Sequence, residues 1–397
     1  MGTKTEAQIA VVGGGPSGLV AALALGVAGI ETVLFAPRVL SADRRTTALL
    51  DGSVETLRKL GVWEALAPQS APLEKLRLVD GTGRLVRAPE VLFSCDELGL
   101  DAFGHNIEND ILRRELRAAV DRISSIRVIE RAVAELKPDV DGVAIKTDAD
   151  GVAVALVIAA DGRNSIGRRA AGIATDRREF PQVALTMNLR HTRPHENIST
   201  EFHTETGPFT LVPLPGQRSS LVCVVDPKQA DELGELDDAA LGREIERRAH
   251  SIQGQMEIDG PCGKFPLSIE TAQRLTAKRI ALVGEAGHLL PPIGAQGLNL
   301  GIRDAVTIAE LAGDAIKRKE DAGGEAVLAA YEKQREGDVR SRALTVELFN
   351  RSLLSGFLPA HVARAAGLEV ASRVGPLRRA IMRQGLGPAS LPRGEKV

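Results

Sequence analysis

Apolar residues in this chain follow two spacings, and the places where one gives way to the other mark its bends. Ile9-Ala10-Val11-Val12 is an unbroken apolar run, the pattern of a short strand buried on both faces. It stops at Gly13-Gly14-Gly15-Pro16-Ser17-Gly18, and residues 19–28 then carry small and apolar side chains at helical spacing. A second run, Thr32-Val33-Leu34-Phe35, follows. Far downstream the arrangement recurs. Ile280-Ala281-Leu282-Val283 leads into Gly284-Glu285-Ala286-Gly287-His288, and the spacing predicts a helix from Gln296-Gly297-Leu298-Asn299 that continues over 305–317. A strand turning through glycines into a helix presents free N–H groups and the positive end of a helix dipole.

Between these bends the pattern predicts a helix over 53–60, a hairpin over 73–87 turning at 80–83, a helix beginning after Asn109 and a strand over 126–130. A second hairpin, over 140–158 around Asp148-Ala149-Asp150-Gly151, delivers Asp161-Gly162 into a loop. From 183 to 225 the period changes. Strands at 184–189, 199–203, 209–214 and 219–225 are separated by Pro/Gly turns with no strong helix between them, which suggests an antiparallel sheet. One helix over 238–252 follows, and 258–267 returns the chain to the first domain. A long helix covers 325–349. The tail over 353–386 has apolar residues at helical spacing among Arg364, Arg373, Arg378, Arg379 and Arg383, either packed on the body with a solvated basic face or touching lipid.

The fold class is therefore α/β. A Rossmann-like domain (1–72, 101–180 and 269–330) is interleaved with a smaller mixed or antiparallel β-sheet domain (73–100 and 181–268), followed by C-terminal helices (331–397).

Composition narrows the function classes. A chain of 397 residues with net charge -2 has no strong overall pull toward nucleic acid or anionic membrane, and its single Trp and single Tyr leave no aromatics for base stacking. Cys95, Cys223 and Cys262 are an odd number, far apart, and point to inert thiols rather than disulfides or zinc. The start of the chain is no signal peptide and no apolar span suits a membrane helix, so a cytoplasmic protein is expected.

The N-terminal bend is a GxGxxG sequence in its proper setting, with a strand before it, a helix after it and a second strand beyond. Gly13 permits the tight turn, Gly15 lets backbone approach a pyrophosphate, and Gly18 lets helix and strand pack closely. Dinucleotide binding follows. The acidic residue that normally ends the second strand to hold a ribose is missing, since Ala36-Pro37 stands there; Asp43 in the next loop is a substitute. Arg44 and Arg45 come just after this unit, where one of them contacts a cofactor or the pair faces solvent. His288 is the titratable candidate for proton transfer, weighed against capping its turn. No serine-histidine-acid arrangement is present.

Taken together these segments resemble the p-hydroxybenzoate hydroxylase class of flavin monooxygenases and, within it, the ubiquinone-biosynthesis hydroxylases. The resemblance covers nearly the whole chain. It rests on Gly13-x-Gly15-x-x-Gly18, Arg45-x-x-Ala48-Leu49 with Leu57-x-x-Leu60-Gly61-Val62-Trp63, Ile107-Glu108-Asn109, Asp161-Gly162-x-x-Ser165, and Gly284 to Gly301. Tyr331-x-x-x-Arg335 and the tail also match.

The resemblance implies FAD, with its pyrophosphate over Gly13, Gly15, Pro16, Ser17 and Gly18. Arg44, Arg45 and Asn109 would line the cofactor cleft, and Asp161-Gly162 would lie near both FAD and a transient NAD(P)H site. Gly284, Glu285, Pro292, Gly294 and Gln296 would hold the ribityl chain and ring, with Gly297, Leu298 and Asn299 at the pyrimidine end. It implies NAD(P)H-driven transfer of oxygen from O2 to a phenolic ring, on a polyprenylated ubiquinone precursor. The alternatives are a hydroxylase of a soluble aromatic, a reductase of prenyl chains, or a non-catalytic subunit of a quinone-biosynthesis complex. Peripheral contact with the inner membrane, membership of such a complex, and a homodimer are its partner expectations. Three positions depart from the pattern: Glu285 where the family has Asp, Ala295 where the subfamily has Gly, and Ala36 where it has the ribose acid.

Overall fold

The computed structural model describes residues 8–38, 43–83, 87–149, 151–354 and 375–386. Its first sheet has six strands in the order Thr276–Ala277, Ile280–Leu282, Leu156–Ala159, Ile9–Val12, Thr32–Phe35 and Ile126–Ile129. All neighbours are parallel except the short antiparallel edge pair Thr276–Ala277 with Ile280–Leu282. The unbroken apolar runs are explained by cover on both faces. Ile9 and Val11 pack among the helices Pro16–Val27 and Gln296–Lys317, whereas Ala10 and Val12 pack beneath a three-stranded antiparallel sheet of Glu135–Pro138, Val143–Lys146 and Gly151–Val154.

The second large sheet is built around Thr175–His191, the longest strand. On one side lie Gly263–Ala272, carrying His288–Leu289 beyond it, and Met256–Ile258; on the other lie Arg218–Val225, Pro208–Leu214 and Ile198–His203. Lys75–Asp80 joins in parallel and Val91–Ser94 closes the edge. Alternate residues Leu185, Met187 and Leu189 face the helices Pro227–Gly234 and Asp238–Arg248, with Leu233, Leu241 and Ile245 buried against them.

Several sequence expectations need correction. The first hairpin's second arm is Val91–Ser94, further on than 87, with Lys75 opposite Ser94; residues 84–86 lie outside the described part. The apolar stretch 152–158 is two strands, because the chain changes sheets at Ala155, whose N–H is taken by the Gln8 carbonyl. A helix, Pro227–Gly234, follows the antiparallel strands, announced by Asp226 capping the Gln229 N–H and by Pro at its first position. The next helix stops at Arg248, since His250 and Ser251 turn left-handed (φ 51° and 49°). The stretch 258–267 does not return the chain to the parallel sheet; Gly263–Ala272 pairs with Thr175–His191 inside the second. In the tail, Gly375–Leu386 is helical, and Arg364 and Arg373 lie outside the described residues.

Candidate cofactor site

Three adjacent parallel strands, Ile280–Leu282, Leu156–Ala159 and Ile9–Val12, end side by side. The predicted bends at Gly284, Asp161 and Gly13 follow those ends, so the topology alone gathers segments about 270 residues apart at one edge, where open α/β sheets bind ligands. Contact between them is close. A Cβ on Gly13 would stand 2.1 Å from the Ala160 carbonyl oxygen, and Gly13 has φ 123°, so only glycine fits against the Asp161 bend. A Cβ on Gly18 would stand 2.0 Å from the Gly13 carbonyl oxygen. Ser17 meets the third bend: its Oγ would lie 3.0 Å from a Cβ on Gly284 and 2.4 Å from one on Gly301.

Gly15 and Gly297 are different. Their own chain neighbours and helix backbone aside, no atom of the described residues lies within 4 Å of where a Cβ would be at either. Both sit at helix starts, Gly15 capping Pro16–Val27 and Gly297 in the first turn of Gln296–Lys317, and neither helix has a side-chain cap. Two helix N-termini thus keep free N–H groups and clear space, the cradle a pyrophosphate and a flavin ring need. Asp161 adds a buried acceptor. Its Oδ2 takes the Ile166 and Gly167 N–H groups (2.7 and 3.0 Å), while Oδ1 is buried with no partner. These residues fit FAD.

The Gly284 bend is held by charge. Asp304 is fully buried; its Oδ2 accepts from His288 Nε2 (2.6 Å) and from the Gly284 N–H (3.1 Å), and its Oδ1 from Arg335 Nε (2.8 Å). Arg335 also meets Asp338 at 2.9 Å, which accepts from Arg303 Nε at 2.8 Å. Burial pushes the Asp304 carboxyl up, but His288 and Arg335 outweigh it and leave it at about 2. Tyr331 donates its hydroxyl to the Leu282 carbonyl (2.7 Å), and burial holds its pKa well above the usual value. Arg168 links the Asp161 and Gly284 bends, donating to the Ala286 carbonyl (2.8 Å) and pairing with Glu270 (3.1 Å).

The other candidates divide. Asn299, fully buried, donates to the Ala48 and Ala295 carbonyls and accepts the Leu50 N–H, fixing the strand Thr46–Leu50 to the helix start. Arg45 pairs with Asp43, lies 5.2 Å over the Phe265 ring and feels the charge of exposed Glu285. Asn109 accepts from Thr47 and donates to Asp43. Asp43 is thus engaged by Arg45 and Asn109 rather than standing free for a ribose. Arg44 turns to Asp259 and Glu108 (3.5 and 3.8 Å), toward the second sheet. Gln296 donates to the Gly294 carbonyl, and Gly294 and Ala295 are both left-handed (φ 66° and 53°) around the turn after Pro292. His288 is enclosed by protein, with Nδ1 unpartnered.

Sequence reasoning missed Asp304 and Asp338, and marked Arg335 without a role. The one available signal was a charged residue on the apolar side of the Gln296–Lys317 helix, where a buried carboxylate demands a partner.

The chain belongs to the FAD binding domain family, whose profile matches residues 6–343. It is an FAD-dependent enzyme of the hydroxylase class, as its resemblance implied. Among curated relatives, ubiquinone hydroxylase UbiL of Rhodospirillum rubrum is 32% identical, with 97% of this chain and 90% of the relative covered. The 3-demethoxyubiquinol 3-hydroxylase of Escherichia coli K12 is 29% identical, covering 97% and 100%. Among solved structures, p-nitrophenol 4-monooxygenase PnpA from Pseudomonas putida superposes with a TM-score of 0.80 at 19% identity over 97% and 99% of the chains. Klebsiella pneumoniae HpxO, solved with FAD and uric acid, gives 0.76 at 20% identity over 97% and 98%. At that identity the structures speak for the fold.

Proposed function

We propose that this enzyme hydroxylates the phenolic ring of a polyprenylated ubiquinone precursor, using NAD(P)H and O2. A ring C–H becomes C–OH, the second oxygen atom leaves as water, and NAD(P)H supplies two electrons, with one proton from solvent. The observation that carries the reading is the convergence of three glycine bends beneath two uncapped helix ends, in a chain whose full-length relatives include a ubiquinone hydroxylase and a 3-demethoxyubiquinol 3-hydroxylase. FAD, when bound, supplies the redox and oxygen chemistry.

The chain's own part is placement. N–H groups of the first helix turn, cleared by Gly15, receive the pyrophosphate. Those of Gly297, Leu298 and Asn299 would hold the pyrimidine end of the ring. Glu285, exposed and within the field of Arg45, would take the ribityl hydroxyls in place of the shorter carboxylate. His288 acts through Asp304 as a positioning group rather than a proton carrier, because its side chain is fully enclosed. The same reading extends to contact with a membrane surface, where a prenylated substrate resides, and to membership of a quinone-forming complex.

The test is direct. Purified protein should be yellow and consume NAD(P)H faster with a phenol present, and a deletion strain should accumulate one quinone precursor that the gene restores. A colourless protein that takes up no FAD, or a deletion with an unchanged isoprenoid-quinone profile, would contradict the proposal.

A further inference from the structure

The helix Gly375–Leu386 has two unlike faces. Its inward face is pinned to the body. Arg378 donates to both oxygens of Glu97 (2.6 and 2.7 Å) and lies 4.4 Å over the Phe93 ring, while Met382 is buried with Val91 and Phe93. Its end reaches the cofactor loop, where Arg342 donates to the Gln384 carbonyl (2.6 Å) and Gln296 to that of Gly385 (3.3 Å).

Helical spacing places Ala380 opposite Arg378 and Met382, with Leu377 and Ile381 along one edge of the outward face and Arg379 and Arg383 along the other. Leu377 and Ile381 are 42% and 41% exposed, and Leu92, whose carbonyl accepts from Arg378, is 40% exposed. These are three of the eight large apolar residues exposed among the described residues. Arg379 and Arg383 are exposed and make no ion pair among the described residues. The helix carries no acidic residue, and the nearby Glu97 carboxylate, bonded to Arg378, also lies in the field of Arg379.

An apolar edge and a basic edge that flank one outward face match the boundary between acyl chains and anionic headgroups. A second copy of this chain would present arginines to arginines. We propose that the outward face of Gly375–Leu386 docks the enzyme on an anionic lipid bilayer, with the cofactor loop held at the membrane by the Gln296–Gly385 and Arg342–Gln384 contacts. The inference rests on the prenylated-substrate reading, since a lipid-tailed phenol is presented at such a surface.

Flotation of the FAD-loaded enzyme with phosphatidylcholine vesicles, with and without phosphatidylglycerol, tests it. Wild type should float with the anionic vesicles only and be released by salt. Replacing Arg379 and Arg383 by Gln should weaken binding about five-fold for each arginine. Leu377→Gln with Ile381→Gln should weaken it further still. Both variants should keep wild-type NAD(P)H oxidation with a water-soluble phenol, which separates failure of the surface from failure of the hydroxylase reading. Wild type that does not float, or variants that float as well as wild type, would overturn the proposal. So would light scattering that shows a dimer abolished by Leu377→Gln/Ile381→Gln without vesicle binding, because the face would then be an interface between copies.

Discussion

The bends at Gly13–Gly18 and at Gly284–Gly301 lie together at the same sheet edge but are made by different means. The first is shaped by main chain alone. Gly13 packs on the Ala160 carbonyl and Gly18 on that of Gly13, with no charged side chain holding the turn. The second is held by buried charge, with Asp304 gripping the Gly284 N–H and His288 while Arg335 balances it. A turn built from missing side chains fails when one is added, whereas a turn held by ions fails when one is removed.

Removal should be the larger effect. Asp304→Ala takes from the buried Arg335 guanidinium one of its two carboxylates and leaves His288 and the Gly284 N–H without an acceptor, and should lower the unfolding free energy by about 4 kcal/mol, read by denaturant melts. Addition comes next: Gly18→Ala forces a methyl onto a carbonyl oxygen and should cost about 3 kcal/mol together with loss of bound flavin. Equal, small effects from both would erase the distinction between the two turns.

Acid sharpens it. The Asp304 carboxyl sits at about 2, below its usual 3.8. A depressed carboxylate stabilises above its unfolded pKa and loses that contribution as pH falls through the folded value. Roughly 2 kcal/mol should therefore disappear between about pH 4 and pH 2. Asp304→Asn should lack this step, whereas Gly18→Ala should keep it. The smallest effect is expected at Ala295, a left-handed residue where glycine is at ease (φ 53°). Ala295→Gly should gain about 0.5 kcal/mol in thermal melts, the relief of strain less the added chain entropy.

The same contrast explains what could be read from the sequence. The first bend, its flanking strands and its helix were legible because every residue that shapes them, apart from Ala160, lies between Ile9 and Phe35. The second bend was recognised by its glycines, but its grip was not. Asp304, Arg335 and Asp338 come together only once two helices pack, and charged residues on a helix read by default as solvent-facing. His288 drew attention as a titratable neighbour of the glycines, yet tertiary packing encloses it. The helix Pro227–Gly234 was missed because it is short, although Asp226-Pro227 gave its start.

The most direct test lies at a glycine that the protein itself does not need. Gly15 has ordinary backbone angles (φ -75°), and beyond its own chain neighbours no atom of the described residues lies within 4 Å of an added methyl, so its emptiness matters only if a ligand comes close. The FAD affinity of Gly15→Ala should be measured beside the stability of the flavin-free protein. FAD binding weakened at least ten-fold with stability unchanged is the predicted result. Undiminished FAD binding would contradict the placement of the cofactor over this bend.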